Sequence, residues 1–111
     1  MEHIPEKDIG PLVANVKRHM SPSGLWIMSV ASGDDITDGV NWHQTVKPKE
    51  WWINKFRELG LEHMEEYVRY FNTQFVRGPK YGGGIGCFNL VLSMDRSKAP
   101  TIPKERLWHR L

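Results

Sequence analysis

Hydrophobic positions in the first thirty residues follow two different periods. Five apolar residues recur at i, i+3, i+4, i+7 and i+11, the spacing of one helical face: Ile9, Leu12, Val13, Val16 and Met20. Ser21-Pro22-Ser23-Gly24 would end this helix. Residues 25–30 are almost continuously apolar and of strand length, which is typical of a strand covered on both faces of a parallel sheet. The pattern predicts a helix, a break and a buried strand.

The apolar spacing after residue 47 predicts a second helix. Pro48 suits its first position, because proline lacks the amide hydrogen that this position leaves unpaired. Apolar residues then recur at i, i+4 and i+7: Trp52, Phe56 and Leu59. Gly60 would end the helix, with Leu61 packing back against it.

Beyond Gly60 the apolar period shifts toward two. We therefore expect a strand at residues 62–70 and its antiparallel partner at residues 87–94, which together form a C-terminal β-hairpin. The glycine-rich residues 78–86 lie between them. Since this segment precedes a strand, a flexible connection is favoured over a phosphate-binding loop.

The loop after the apolar strand is the best place for a site. Residues 31–40 are rich in turn formers, and ligands of open α/β sheets bind outside the carboxyl ends of strands. His43 follows this loop and is the candidate catalytic residue, as a general base or substrate contact; a structural histidine beside Trp42 remains an equal alternative. Trp42, Trp51 and Trp52 are the candidate substrate-binding residues, forming an aromatic-walled pocket.

Composition bounds the class of protein. The 111 residues are 40% apolar and 25% charged, as in a single globular domain. There is no signal-peptide pattern, and no apolar run is long enough for a membrane span. Cys87 is the only cysteine, so we expect a cytoplasmic protein without membrane contact.

Charge is concentrated at the C-terminus. Five basic and two acidic residues give residues 95–111 a charge of +3 in a chain of net charge +2, so residues 1–94 carry −1. We interpret this proline-containing tail as a mobile or loosely docked terminus, in preference to a nucleic-acid contact.

The order of these elements resembles the C-terminal half of a class I S-adenosylmethionine-dependent methyltransferase. The resemblance covers residues 1–94. It rests on the opening Glu2-His3-Ile4-Pro5 and on the elements that follow in order: the amphipathic helix, the turn at residues 21–24, the apolar strand, and the segment from His43 to Pro48 before Trp51-Trp52. In that family Glu-His-Ile-Pro follows the fourth strand, a Pro-x-Gly turn precedes the fifth, and an antiparallel hairpin closes the domain. The resemblance implies an α/β fold containing part of a Rossmann-like methyltransferase sheet.

The same resemblance implies a cofactor and an incomplete site. Glu2, His3 and Ile4 would line the S-adenosylmethionine side of the pocket, and the acceptor would be a small molecule or a glycan. The first three strands of the family, its glycine-rich loop and its ribose-binding acid have no counterpart here. We therefore expect methyl transfer only with a complementary N-terminal half, the chain being a truncation, a split-enzyme half or a degenerate relative. The alternative is a non-enzymatic binding or assembly module that forms a homo-oligomer through an open sheet edge.

A metal site is a further implication of the resemblance. In the branches that methylate ubiquinone precursors and small-RNA ends, a Glu-His pair with further ligands holds a divalent metal, which makes Glu2, His3 and His43 a candidate set. The upstream glutamate that completes those sites has no counterpart in this sequence. We therefore expect no metal, with Glu2 capping a helix and His3 hydrogen-bonded.

Overall fold

The computed structural model describes residues 1–74 and 87–103. In chain order these residues form α1 (Glu6–His19), β1 (Leu25–Ala31), β2 (Ile36–Thr37), β3 (Val40–Asn41), α2 (Lys49–Glu58), β4 (Glu62–His63), α3 (Glu65–Gln74), β5 (Cys87–Ser93) and a 3₁₀ turn (Arg96–Lys98). The protein is thus α/β, as predicted. No helix in these two ranges is long and apolar enough to cross a membrane.

β5 is the central strand of a three-stranded antiparallel sheet of order β1–β5–β4. It pairs along its whole length with β1, from Leu25 opposite Ser93 to Ala31 opposite Cys87. On its other edge it pairs only with the two residues of β4. The last five residues of β5 are buried, because neighbours cover both edges and helices cover much of both faces.

β1 differs from the predicted buried strand of a parallel sheet. Its one strand neighbour among the described residues is antiparallel, so β1 lies at the sheet edge. Ile27 is 39% exposed, and Ser29 is exposed as well. The apolar run was misleading because only alternate residues, such as Val30, contribute to the core.

α1 and α2 cover one face of the sheet, and both predicted helices are confirmed. The core between the helices and the sheet contains Ile9, Val13, Val30, Trp52, Phe56, Leu61, Leu90 and Leu92. Trp26 of β1 packs edge-to-face on Phe56 at a centroid distance of 5.7 Å. Pro48 is the N-cap of α2 and so lies one residue before the helix. Gly60 has φ +86°, the left-handed conformation expected of a residue that ends a helix.

The predicted strand at residues 62–70 is wrong beyond His63. Only Glu62–His63 is a strand, and α3 begins at Glu65. Met64 and Val68 are both buried, and their i, i+4 spacing fits a helical face as well as a strand face. β4 does pair antiparallel with β5, but α3 lies between them, so the pair is not a hairpin.

Part of the predicted tail is attached to the fold. Nε of Arg96 donates a hydrogen bond of 3.0 Å to Glu62, and Nη1 of the same residue donates to Glu66. The Tyr67 hydroxyl donates to the Pro100 carbonyl. Residues 95–103 therefore dock on β4 and α3, while residues 78–86 of the glycine-rich connection and 104–111 of the tail lie outside the described residues.

Candidate metal centre

Two segments far apart in sequence meet beyond the carboxyl end of β1. Residues 1–4 form a turn in which the Ile4 amide donates to the Met1 carbonyl at 3.0 Å. Thr45, only 2% exposed, joins this turn to the segment that follows β3. Its amide donates to the Glu2 carbonyl at 2.9 Å, and its hydroxyl donates to the Ile4 carbonyl at 2.6 Å. This double attachment fixes His43 beside the Glu-His pair.

Glu2, His3 and His43 form a compact cluster of potential ligands. Their nearest ligand atoms all lie within 4.8 Å of one another. Oε1 of Glu2 is 4.0 Å from Nε2 of His3 and 3.9 Å from Nε2 of His43. The two imidazole rings meet edge-to-face at a centroid distance of 4.7 Å. One carboxylate oxygen thus faces the same nitrogen of two different imidazoles.

Backbone carbonyls determine which nitrogen of each neutral imidazole carries the proton. Nδ1 of His3 lies 2.9 Å from the Trp42 carbonyl oxygen, and Nδ1 of His43 is hydrogen-bonded to the Gly33 carbonyl. A carbonyl oxygen only accepts, so Nδ1 is the donor in both rings. In the neutral imidazole Nε2 then carries a lone pair, and neither Nε2 has a hydrogen-bond partner in the part of the chain that the structure describes. Metal-binding histidines commonly have this arrangement.

The carboxylate of Glu2 is held in its charged form. Partial burial raises its pKa, but its own amide, the Met1 α-amino group and the Ala31 amide outweigh that effect and hold the pKa below the ordinary value. The Met1 amino group lies 3.2 Å from Oε2, which leaves Oε1 for the histidines. The site therefore places the charge of the Glu2 carboxylate beside Nε2 of both imidazoles.

A small hairpin positions the loop that carries His43. β2 and β3 pair antiparallel across Asp38 and Gly39, whose φ angles are +52° and +75°. Two positive φ values are the requirement of a tight type I′ turn. Asn41 follows that turn, and its Oδ1 accepts from the His43 amide at 3.0 Å. Sequence reasoning missed this hairpin, although Asp-Gly between short apolar segments is a strong hairpin signal.

The predicted aromatic residues do not share one environment. Trp42 is 55% exposed and lies next to the cluster through the bond from His3 to its carbonyl. Trp51 is half-buried, with Lys47 5.5 Å above its ring. Trp52 is fully buried and stacks on Phe56 in the core, which favours a packing role over substrate contact. Among the three tryptophans, Trp42 has the most surface available to a ligand.

The remaining expectations for the opening segment have mixed outcomes. Ile4 packs against the core cluster as a partly buried residue. Glu2 does not cap α1, because the N-cap is Pro5 and no side chain makes a capping bond there. His3 is hydrogen-bonded, as expected, but through Nδ1 alone. The Glu2 carboxylate instead pairs with the Met1 amino group through Oε2 and faces the two histidines through Oε1.

The donor set fits a divalent cation. Two imidazole nitrogens and one carboxylate oxygen suit Zn²⁺, Fe²⁺, Co²⁺ or Mn²⁺ better than Mg²⁺ or Ca²⁺. Two ligands of one such ion lie about 3.4 Å apart at a tetrahedral angle. The separations of 3.9 and 4.0 Å found here and the 4.8 Å span of the whole set are wider, so the three side chains would have to draw together around a bound ion. Comparison with protein-family models, with curated proteins and with solved structures finds no match to this chain.

Proposed function

We propose that this chain forms the acceptor side of an S-adenosylmethionine-dependent methyltransferase site and that Glu2, His3 and His43 hold a divalent cation there. The observation that carries the proposal is the convergence of both unbonded Nε2 atoms on one carboxylate oxygen of Glu2. These three side chains are also the set that the family resemblance implies.

The order of elements supports the methyltransferase part of the proposal. The Glu-His-Ile-Pro segment, α1, β1 and α2 occur in the order of the family's second half. β4 and β5 are antiparallel, as are the family's last two strands. α3 is a departure, because the family has a hairpin where this chain has a helix. The cluster lies beyond the carboxyl end of β1, the end at which ligands would bind if β1 belonged to the family's parallel sheet.

The site chemistry suits an oxygen acceptor. A bound divalent cation would orient an acceptor hydroxyl and favour its ionised form. The residues of this chain would supply position: His43 fixed by the Gly33 carbonyl, His3 by the Trp42 carbonyl, and an exposed indole at Trp42 beside them. Holding the acceptor oxygen in line with the methyl group would supply much of the rate enhancement.

The cofactor side would come from a complementary N-terminal segment or chain. The glycine-rich loop and the ribose-binding acid of the family have no counterpart in these 111 residues. The chain alone should therefore bind S-adenosylmethionine weakly or not at all, while it retains the cation site.

Titration of the full chain with Co²⁺ tests the proposal, because visible absorption reports both affinity and ligand type. We expect one saturable site, weakened at least tenfold by Glu2→Gln and by His43→Ala. His19→Ala is the matched control, since His19 is an exposed histidine on α1 that bonds the Asn15 carbonyl outside the cluster. Binding that survives both cluster substitutions, or is lost with His19→Ala, would contradict the cation site.

Calorimetry with S-adenosylmethionine tests the other part. A dissociation constant in the micromolar range for the chain alone, about −8 kcal/mol, would show a complete cofactor site and overturn the proposed division. In an enzyme completed by a complementary half, His43→Ala should abolish turnover and lower the free energy of unfolding by no more than about 1 kcal/mol, because it removes one hydrogen bond to the Gly33 carbonyl and no core packing.

A further inference from the structure

A second carboxylate faces the cation site from the loop after β1. Oδ2 of Asp35 lies 3.9 Å from Nε2 of His43, and half of its side chain (51%) is exposed. Oε1 of Glu2 lies 3.9 Å from the same nitrogen. Two carboxylates from different segments of the chain thus lie equally close to the unbonded nitrogen of His43.

The backbone around Asp35 is tied to His43. The Asp35 carbonyl accepts from the Trp42 amide at 2.8 Å, and its amide donates to Oδ1 of Asn41 at 3.2 Å. The same Asn41 oxygen accepts from the His43 amide. One side chain thus fixes the backbone of both residues and keeps Asp35 next to His43.

The neighbouring acids have other positions. Oδ1 of Asp34 accepts from the Asn41 amide group at 3.0 Å, so Asp34 stabilises the hairpin. Asp38 lies at the tip of the β2–β3 turn with a positive φ. Of these three acids in the loop, only Asp35 has a carboxylate oxygen within 4 Å of an imidazole nitrogen of the cluster. It lies outside the 4.8 Å set formed by Glu2, His3 and His43, so its side chain would have to move toward a bound ion.

The negative charge of Asp35 would help to stabilise a cation in the cluster. The carboxylates of Glu2 and Asp35 lie 3.9 Å from the same His43 nitrogen. The Met1 amino group, 3.2 Å from the other oxygen of Glu2, already offsets part of the Glu2 charge, so Asp35 would supply the further negative charge that a bound divalent ion needs.

We infer that Asp35 supplies the second carboxylate to the cation held by Glu2, His3 and His43. The inference rests on the proposed function and deepens it. It assigns to the loop after β1 the carboxylate that the family resemblance expects before the Glu-His pair. The complete set is then two imidazole nitrogens and two carboxylate oxygens, carried by three segments: the N-terminal turn, the loop after β1 and the segment after β3.

Asp35→Asn tests this inference with Co²⁺ as the probe. The substitution keeps the side-chain shape, and the backbone bonds of residue 35 do not use the carboxylate. We expect about tenfold weaker binding or more, together with a changed visible spectrum, because an anionic carboxylate ligand becomes a neutral amide. Asp38→Asn is the matched control: it removes the same charge from the same hairpin, suits a type I′ turn, and should leave affinity and spectrum unchanged.

The outcomes separate the two proposals. If Co²⁺ binding depends on Glu2 and His43 but Asp35→Asn keeps the wild-type affinity and spectrum, the role of Asp35 is overturned. The proposed cation site would be unaffected by that result. Equal weakening by Asp35→Asn and Asp38→Asn would also overturn it, since the effect would then be a general loss of charge. Absence of any Co²⁺ site in the unsubstituted chain would overturn both proposals. Thermal midpoints of the variants without metal check that each one folds.

Discussion

Leu90 and Ile27 provide a test of the sheet order, because both are large aliphatic residues of paired strands with different predicted costs on truncation. Leu90 lies in the central strand and is fully buried, whereas Ile27 lies in the edge strand and is 39% exposed. The two residues are on opposite faces of the sheet, since Leu90 is opposite Met28 and Ile27 is opposite Val91.

The expected magnitudes follow from burial. Leu90→Ala removes three buried carbons, which is about 2.4 kcal/mol at 0.8 kcal/mol each, and a cavity term raises the loss to about 3–4 kcal/mol. Ile27→Ala removes the same number of carbons from a site that is about 60% buried and open to water, so it leaves no cavity and should cost about 1.5 kcal/mol. The difference of about 2 kcal/mol corresponds to about 8 °C in thermal midpoint for a domain of this size.

Urea unfolding monitored by tryptophan fluorescence and circular dichroism measures both variants. Equal losses for Leu90→Ala and Ile27→Ala would refute the assignment of β5 as centre and β1 as edge.

The same experiment over a hundredfold range of protein concentration tests the predicted homo-oligomer. If a second copy covers the open edge of β1, the wild-type midpoint rises with concentration and Ile27→Ala removes that rise; light scattering would give the oligomer size.

Two further predictions concern local contacts. Glu65→Gln should lower the free energy of unfolding at neutral pH and have a smaller effect in acid, because the effect of burial, which raises the pKa of Glu65, is outweighed by hydrogen bonds from His63 and Lys49 that lower it. The stabilisation is therefore present above the ordinary carboxyl pKa and is lost as pH falls through the lowered one. A pH-independent effect in urea titrations would contradict this. Gly60→Ala should destabilise by about 1–2 kcal/mol because of the positive φ, and its Cβ would meet Nζ of Lys17 at 2.6 Å. Gly10→Ala in α1, where a Cβ meets nothing within 4 Å, should stabilise by up to about 1 kcal/mol; a Gly60→Ala midpoint at or above that of Gly10→Ala would contradict the conformation of Gly60.

The elements that could be predicted from sequence are those determined by local spacing. Apolar residues one turn apart predict α1 and α2, and Gly60 predicts the end of α2. α3 was missed because Met64 and Val68 fit either period. The acidic pair Glu65 and Glu66 in its first turn is a helix-start signal that favours the correct assignment.

The strand pairing could not be predicted from spacing. The apolar run of β1 is compatible with parallel and antiparallel neighbours alike. Its true neighbour, β5, begins at Cys87, more than fifty residues after β1 ends. Only tertiary packing decides that β5 lies between β1 and β4, and with it that Ile27 lies at an edge.

The candidate site shows the same division between local and long-range information. The residue types of Glu2 and His3 are visible in the sequence, but their contact with His43 across forty residues depends on the two bonds made by Thr45. Nothing in the sequence distinguishes Asp35 from Asp34. Their different positions result from Asn41, which bonds the side chain of one and the backbone of the other.

The cation site and the core use separate residues, and this separation makes the proposed function testable. Glu2, His3, His43 and Asp35 are absent from the core cluster, and their positions are fixed mainly by hydrogen bonds between loops. The link to the sheet is short, because β1 ends at Ala31, whose backbone lies near enough to the Glu2 carboxylate to help lower its pKa. Substitution of a ligand should therefore change cation affinity with little change in stability, whereas a core substitution should change stability with little change in affinity while the chain remains folded. A chain in which both properties always change together would not contain a separate loop-held site.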